Sequence, residues 1–158
     1  MADQQNSEKT AFKAAVESAL LQQGALDLRF TGSEDEVRWD FNLQHEGQIW
    51  PLYLRTPYWS LAPLPSLHWA APEPVWGWPH TGEDGSICAF DRQGLDYDAE
   101  NHEAILKNII DKSMRMLVSH HALSESERLN AFADELDAYA SNSPFAIETT
   151  PNSNYFCL

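Results

Sequence analysis

Apolar residues at the start of the chain recur at helical spacing and then switch to strict alternation. Phe12, Ala15, Val16, Ala19 and Leu20 line one face of an expected helix, with Ser7 placed to cap it and Gly24 to stop it. In the alternating stretch, Leu26, Leu28 and Phe30 predict a short strand, Val37, Trp39, Phe41 and Leu43 a second, and Ile49 to Leu54 a third. Glu46-Gly47 supplies the turn between the last two. The pattern is one helix followed by an antiparallel meander.

The periodicity then breaks. Seven of the nine prolines lie between Pro51 and Pro79, and five of the six tryptophans between Trp50 and Trp78. Prolines at this density exclude a helix, because each removes an N–H and clashes with the preceding turn. They also make a central strand hard to place. An ordered, extended wrap held by aromatic packing is expected, with a short strand within Ser66 to Trp69; a ligand-binding aromatic platform is the alternative. Helical spacing returns after a loop through Gly94 to Asp98. Ile105, Leu106, Ile109, Ile110, Ser113, Met116 and Leu117 share one face of a helix that ends at His120-His121. Ser124 and Glu127 form a capping-box pattern for a last helix with an apolar face of Leu129, Phe132, Ala133, Leu136 and Tyr139. Strands and helices in separate blocks predict an α+β fold around one antiparallel sheet.

The chain of 158 residues suits a single domain, 1–158, in which 142–158 reads as a loosely packed polar tail. With 43% hydrophobic and 11% aromatic residues it can bury a core. The polar, acidic N-terminus shows no signal-peptide pattern and no apolar run approaches membrane-spanning length, so a cytoplasmic protein without membrane contact is expected. A formal net charge of -14 argues against nucleic acid, whose phosphates it repels, and suits either a basic protein partner or simple solubility. The only cysteines are Cys88 and Cys157, too few for a disulfide framework, and both are expected to be reduced thiols. Cys157 is second from the end, which does not fit a prenylation signal.

Candidate chemistry concentrates between Trp76 and Asp91. Asp84-Gly85 is a tight-turn dipeptide that folds the chain back, so His80 and Cys88 can meet. A thiol attacks only as its thiolate, and a nearby imidazole or the N–H groups of a glycine-rich turn favour that form or a developing oxyanion. The alternative is a Cys88 that is merely a small buried hydrophobe between Ile87 and Ala89. His120-His121 suits a helix C-terminus better than a metal, since adjacent helical residues face apart. His68, His80 and Cys88 make three zinc ligands in principle, but no fourth is evident. No phosphate-binding glycine loop and no Gly-x-Ser-x-Gly signature is present. No cofactor and no metal is called for.

The segment resembles the active-site signature of ubiquitin-conjugating (E2) enzymes: His-Pro-Asn, a short loop ending in Gly-x-Ile/Val, then Cys-Leu. Trp78-Pro79-His80 falls at the first motif, and Gly85-Ser86-Ile87-Cys88-Ala89 at the second, with Cys88 eight positions after His80. The prolines from Pro57 to Pro65 are similar to the family's extended stretch after its third strand, and the element order matches. Trp78 replaces the family's His and His80 its Asn. Bacterial members with a Pro-His…Asp-Gly-Ser-Ile-Cys pattern fit better, which points to the stand-alone E2-like proteins of antiphage operons such as CBASS. The resemblance implies a ubiquitin-conjugating-enzyme-like fold and a transferase that takes a glycine-type protein C-terminus as a thioester on Cys88. The partner it implies is a cGAS-like cyclic-oligonucleotide synthase or a ubiquitin-like protein, and the acceptor an amine. His80 would stabilise the oxyanion, shape the loop, or act as a base; Asp91 would orient a histidine or an attacking lysine, or cap a turn or helix approach. The rivals are a catalytically inactive E2-like module that recognises a protein C-terminus, and a Cys–His hydrolase, which needs a third, orienting residue.

Overall fold

A computed structural model describes residues 2–33, 36–70, 78–88 and 97–142, with side chains described from 4 to 138 within those ranges. The elements run α1 (Ala2–Gln22), β1 (Leu26–Gly32), β2 (Val37–His45), β3 (Gln48–Thr56), β4 (Ser66–Trp69), α2 (His102–His121) and α3 (Glu125–Asn142). The four strands form one antiparallel sheet in the order β1-β2-β3-β4. The fold is therefore α+β, with a helix before the sheet and two after it.

The expected elements are present, with several shifts. Ser7 lies inside α1 and does not cap it. The polar first turns are held by contacts one helical turn apart, such as Gln4 Nε2 to Glu8 Oε1 at 3.3 Å and Thr10 Oγ1 to the Asn6 carbonyl at 2.8 Å. Gly24 ends α1 as expected: at φ 84 its N–H reaches the Leu21 carbonyl, while the Ala25 N–H reaches that of Leu20. Glu46 (φ 50) and Gly47 (φ 81) make the two-residue turn of the β2–β3 hairpin, whose left-handed backbone matches the twist of the strands. Pro51 lies within β3, opposite Asn42, where prolines were expected to resist a central strand. Its carbonyl accepts from the Ala70 N–H at 2.9 Å. A strand residue's N–H and C=O point to one side, so the bond Pro51 forgoes is the return bond at the end of β4, and pairing with β2 is intact.

Alternation sorts the sheet into two faces. Trp39, Phe41 and Leu43 of β2, Trp50, Leu52 and Leu54 of β3, and Leu67 of β4 join one core with Val16, Ala19 and Leu20 of α1 and Leu106, Ile109, Ile110 and Leu117 of α2. Within α2, Met114 is buried and Met116 only partly so, a reversal of the expected choice; both lie beside the helical stripe. The aromatic wrap packs as expected: Phe12, Phe30 and Trp59 meet edge-on or tilted around Trp39. The other sheet face carries a polar stack. The Arg38 guanidinium, paired with Asp40, lies 3.8 Å from the centroid of Tyr53, and Tyr53 stacks on His68 at 4.4 Å.

The α3 cap is as expected: the Ser124 N–H donates to Glu127 Oε2 at 2.8 Å, and the Glu127 N–H points back to Ser124 Oγ at 3.4 Å. Its inward face is as expected only at Phe132 and Leu136. Leu129 is 50% exposed and Ala133 is exposed, while Arg128, Phe132, Glu135 and Leu136 turn inward; the side chain of Tyr139 is outside the described residues. Most of the expected loop at Gly94 to Asp98, and the tail after Asn142, also lie outside them. Among the described residues, no helix is long and apolar enough to cross a membrane.

Burial separates two otherwise similar truncations. Leu106 is 0% exposed and Ile49 is 61% exposed. Leu106→Ala should lower the unfolding free energy by about 2–5 kcal/mol, and Ile49→Ala by no more than roughly 0.5 kcal/mol. Urea unfolding of both variants checks the assignment of faces.

Candidate active site

The segment 80–88 is a hairpin docked on the edge of the sheet. Its arms pair through Thr81 and Ile87, with the Cys88 N–H donating to the His80 carbonyl at 2.8 Å and the Gly82 N–H to that of Ser86 at 2.8 Å. The turn closes where the Gly85 N–H meets the Gly82 carbonyl at 2.9 Å. His80 and Cys88 are thus opposed across the open end, as the turn dipeptide predicted. Thr81 and Ile87, between them, are buried at 8% and 5% exposure and anchor the arms.

The returning arm continues the sheet beyond β4. The Trp69 N–H donates to the Gly85 carbonyl at 2.8 Å and the Ile87 N–H to that of Leu67 at 2.9 Å, which brackets the pair His68 and Ser86. Gly85 is required at this contact. It has φ 78, and a Cβ there would run into the carbonyl oxygen of Trp69. The turn is also held from the polar face: Tyr53 Oη donates to the Asp84 carbonyl at 3.0 Å, and His68 Nδ1 lies 3.6 Å from Asp84 Oδ2. Burial works to raise the Asp84 carboxyl, but hydrogen bonds from Ser86 outweigh it and hold it below its ordinary value. Burial lowers His68, against the pull of Asp84. With Ser66 Oγ 2.8 Å from Nε2 and Asp84 at Nδ1, both ring nitrogens of His68 are engaged. His68 is therefore part of the scaffold. Among the described residues no group of three or more His, Cys, Asp or Glu could hold a metal ion, so the zinc alternative through His68, His80 and Cys88 finds no support in the geometry.

The outgoing arm is held by α3, through residues that carry no short-range signal in the sequence. Glu135 takes the His80 backbone N–H on Oε2 at 2.8 Å and His80 Nδ1 on Oε1 at 3.1 Å. His80 sits at φ 53, a left-handed conformation uncommon for a non-glycine residue. Arg128 lies over the Trp78 ring, 4.5 Å from its centroid, and Trp78 meets Trp69 edge-on at 4.8 Å. His121 packs on Trp50 at 5.2 Å. His120 stacks on His80, with centroids 6.0 Å apart. The C-terminal turn of α2 therefore borders the site, a role beyond the expected fit to the helix end. The hydrogen bond to Glu135 raises the His80 pKa above its ordinary 6.5 against the effect of burial. Burial works to raise Glu135, but its bonds from His80 dominate and hold it below its ordinary 4.5. His120 is lowered by burial and by the neighbouring His80.

Cys88 is half-buried and disulfide-bonded, which corrects the expectation that it is a reduced thiol. The chain holds one other cysteine, Cys157, which lies outside the described residues, as does Asp91. A cavity of about 300 Å³ bordered by Leu43, His45, Ile110 and Met114 shares no residue with the hairpin.

No family model, curated protein or solved structure matches this chain. The site is therefore read from its own geometry: a cysteine and a histidine opposed at the mouth of a hairpin, with a carboxylate gripping the histidine. Cys88 and His80 are joined through their backbones, and Glu135 holds the imidazole at Nδ1.

Two outcomes follow. Iodoacetamide should label Cys88 only after treatment with dithiothreitol; labelling of the untreated folded protein, read by mass spectrometry, would show an open thiol instead. The His80–Glu135 pair should also give a pH-dependent stability. A raised His80 contributes fully below about pH 6.5 and loses its contribution as pH rises through its folded value. A lowered Glu135 contributes above about pH 4.5 and loses its contribution as pH falls through its folded value. Wild type should therefore exceed Glu135→Gln in urea unfolding most between these pH values, and less at about pH 9. His68 contributes equally to both proteins, while His120, which also feels the Glu135 charge, adds to the same pH-dependent difference. A difference that does not vary with pH removes the ion pair.

Proposed function

We propose that this chain is an E2-like acyltransferase of the ubiquitin-conjugating-enzyme-like fold. In its reduced form Cys88 accepts a protein C-terminus as a thioester and passes it to an amine. The observation that carries the reading is the opposition of Cys88 and His80 across the docked hairpin, at the spacing of the E2 signature. The helix, four-stranded antiparallel sheet and trailing helices are consistent with such a fold.

The donor is the C-terminal tail of a cGAS-like cyclic-oligonucleotide synthase or of a ubiquitin-like protein, within a bacterial antiphage system. A net charge of -14 suits a basic protein partner and disfavours nucleic acid. A reducing cytoplasm would keep Cys88 open for this work. The second reading, an inactive E2-like module that binds a protein C-terminus, is favoured by one observation: Cys88 is engaged in a disulfide.

The test begins with reduced protein and a peptide ending in glycine, supplied as a small-thiol thioester. Wild type should form a covalent adduct that dithiothreitol removes, and Cys88→Ala should form none. An adduct that survives the substitution sinks the assignment, and reduced wild type that forms none leaves the binding module as the better reading. Release of free acid without any amine acceptor would instead identify a Cys–His hydrolase, for which Glu135 is the orienting residue.

A further inference from the structure

We infer that Glu135 is the positioning residue of this site, holding His80 in the tautomer that presents Nε2 to the amine attacking a Cys88-linked acyl group. The inference rests on the thioester reading and deepens it by assigning the proton acceptor. Glu135 grips one residue twice, at the backbone N–H (2.8 Å) and at Nδ1 (3.1 Å). The contact spans 55 positions of sequence and fixes a histidine in an uncommon backbone conformation. The Glu135 side chain is 12% exposed while that of His80 is 41% exposed, so the carboxylate lies on the protein side of the pair and the imidazole on the solvent side. A carboxylate so covered is costly without a partner, and His80 is that partner.

The chemistry follows from the inventory of ring atoms. A neutral imidazole that donates from Nδ1 to a carboxylate keeps its only free lone pair on Nε2. So held, neutral His80 accepts a proton and has none to offer an oxyanion, which separates the base role from the oxyanion role. Glu135 from α3 and His120 from α2 border the ring, and Cys88 lies opposite on the other arm, its N–H on the His80 carbonyl. In the transfer, the amine nitrogen bonds to the thioester carbonyl carbon and the carbon–sulfur bond breaks. Cys88 Sγ leaves with the electron pair as a thiolate. The proton lost by nitrogen passes to His80 Nε2, and the imidazolium formed faces Glu135. No oxidant or reductant is consumed once Cys88 is reduced.

The experiment loads reduced protein with the glycine-ended peptide thioester, removes excess donor, and follows discharge to free lysine across pH, normalised to the thioester loaded. Glu135→Gln leaves one carbonyl oxygen for two donors, the His80 backbone N–H and Nδ1–H, and loses the charge. It should discharge about tenfold slower near neutral pH, with the His80-dependent limb displaced to lower pH. Glu135→Asp should restore part of the rate and the limb. In a His80→Asn background the Glu135→Gln change should add nothing, because Glu135 acts through His80. Circular dichroism confirms that each variant is folded. A Glu135→Gln protein with wild-type rate and limb overturns the assignment while leaving the thioester reading in place. So does an equal loss with and without His80. Wild type that never loads overturns the thioester reading itself, and this inference with it.

Discussion

The pair of backbone hydrogen bonds between the cysteine hairpin and β4 is the constraint on which the site depends. Ile87 to Leu67 and Gly85 to Trp69 make the returning arm an extension of the sheet. Each such bond contributes only about 0.5–1.5 kcal/mol net, so their value lies in geometry. They set the register of the arm, and register decides which side chains face the core. With Thr81 and Ile87 buried, the flanking pair His80 and Cys88 comes to the open end. A one-residue slip would reverse this and hide the sulfur. Gly85 makes the register unique, since only a residue without Cβ fits against the Trp69 carbonyl.

Two different kinds of force hold the two arms. The returning arm has backbone pairing on one side and the stack of Arg38, Tyr53 and His68 under its turn. The outgoing arm relies on α3, whose inward face presents Glu135 to His80 and Arg128 to Trp78. Both arms meet a histidine–carboxylate pair, His68 with Asp84 under the turn and His80 with Glu135 on the outgoing arm. The apolar core beneath is shared by α1, α2 and the sheet, while every described side chain of α3 is at least partly exposed. The Glu135–His80 pair couples the protonation state of His80 to the seating of α3.

The sequence was legible where one physical signal dominates. Strict alternation in Val37 to Leu43 and at Trp50, Leu52 and Leu54 has period two and leaves no competing interpretation. The same holds for the glycine stop at Gly24, the Glu46-Gly47 turn and the Ser124–Glu127 cap, each of which depends on neighbours within a few residues. Asp84-Gly85 belongs with them, and through it the approach of His80 to Cys88. Misreadings arose where apolar content was taken as burial. Leu129 and Ala133 are apolar and exposed, while the helix turns Glu135 and Arg128 inward beside Phe132 and Leu136, because that face meets the His80 imidazole and the Trp78 ring.

Local rules therefore determined the element order, the faces of β2 and β3, and the turn that brings a histidine toward a cysteine. They act through backbone propensity and periodicity, which a chain carries residue by residue. Only the tertiary structure decided that Glu135 grips His80, that His120 stacks beside it, that His68 is scaffold, and that Cys88 is bonded to another sulfur. Those facts depend on which surfaces meet after the chain has folded, and Glu135 and His80 lie 55 positions apart, too far for any short-range pattern to join them.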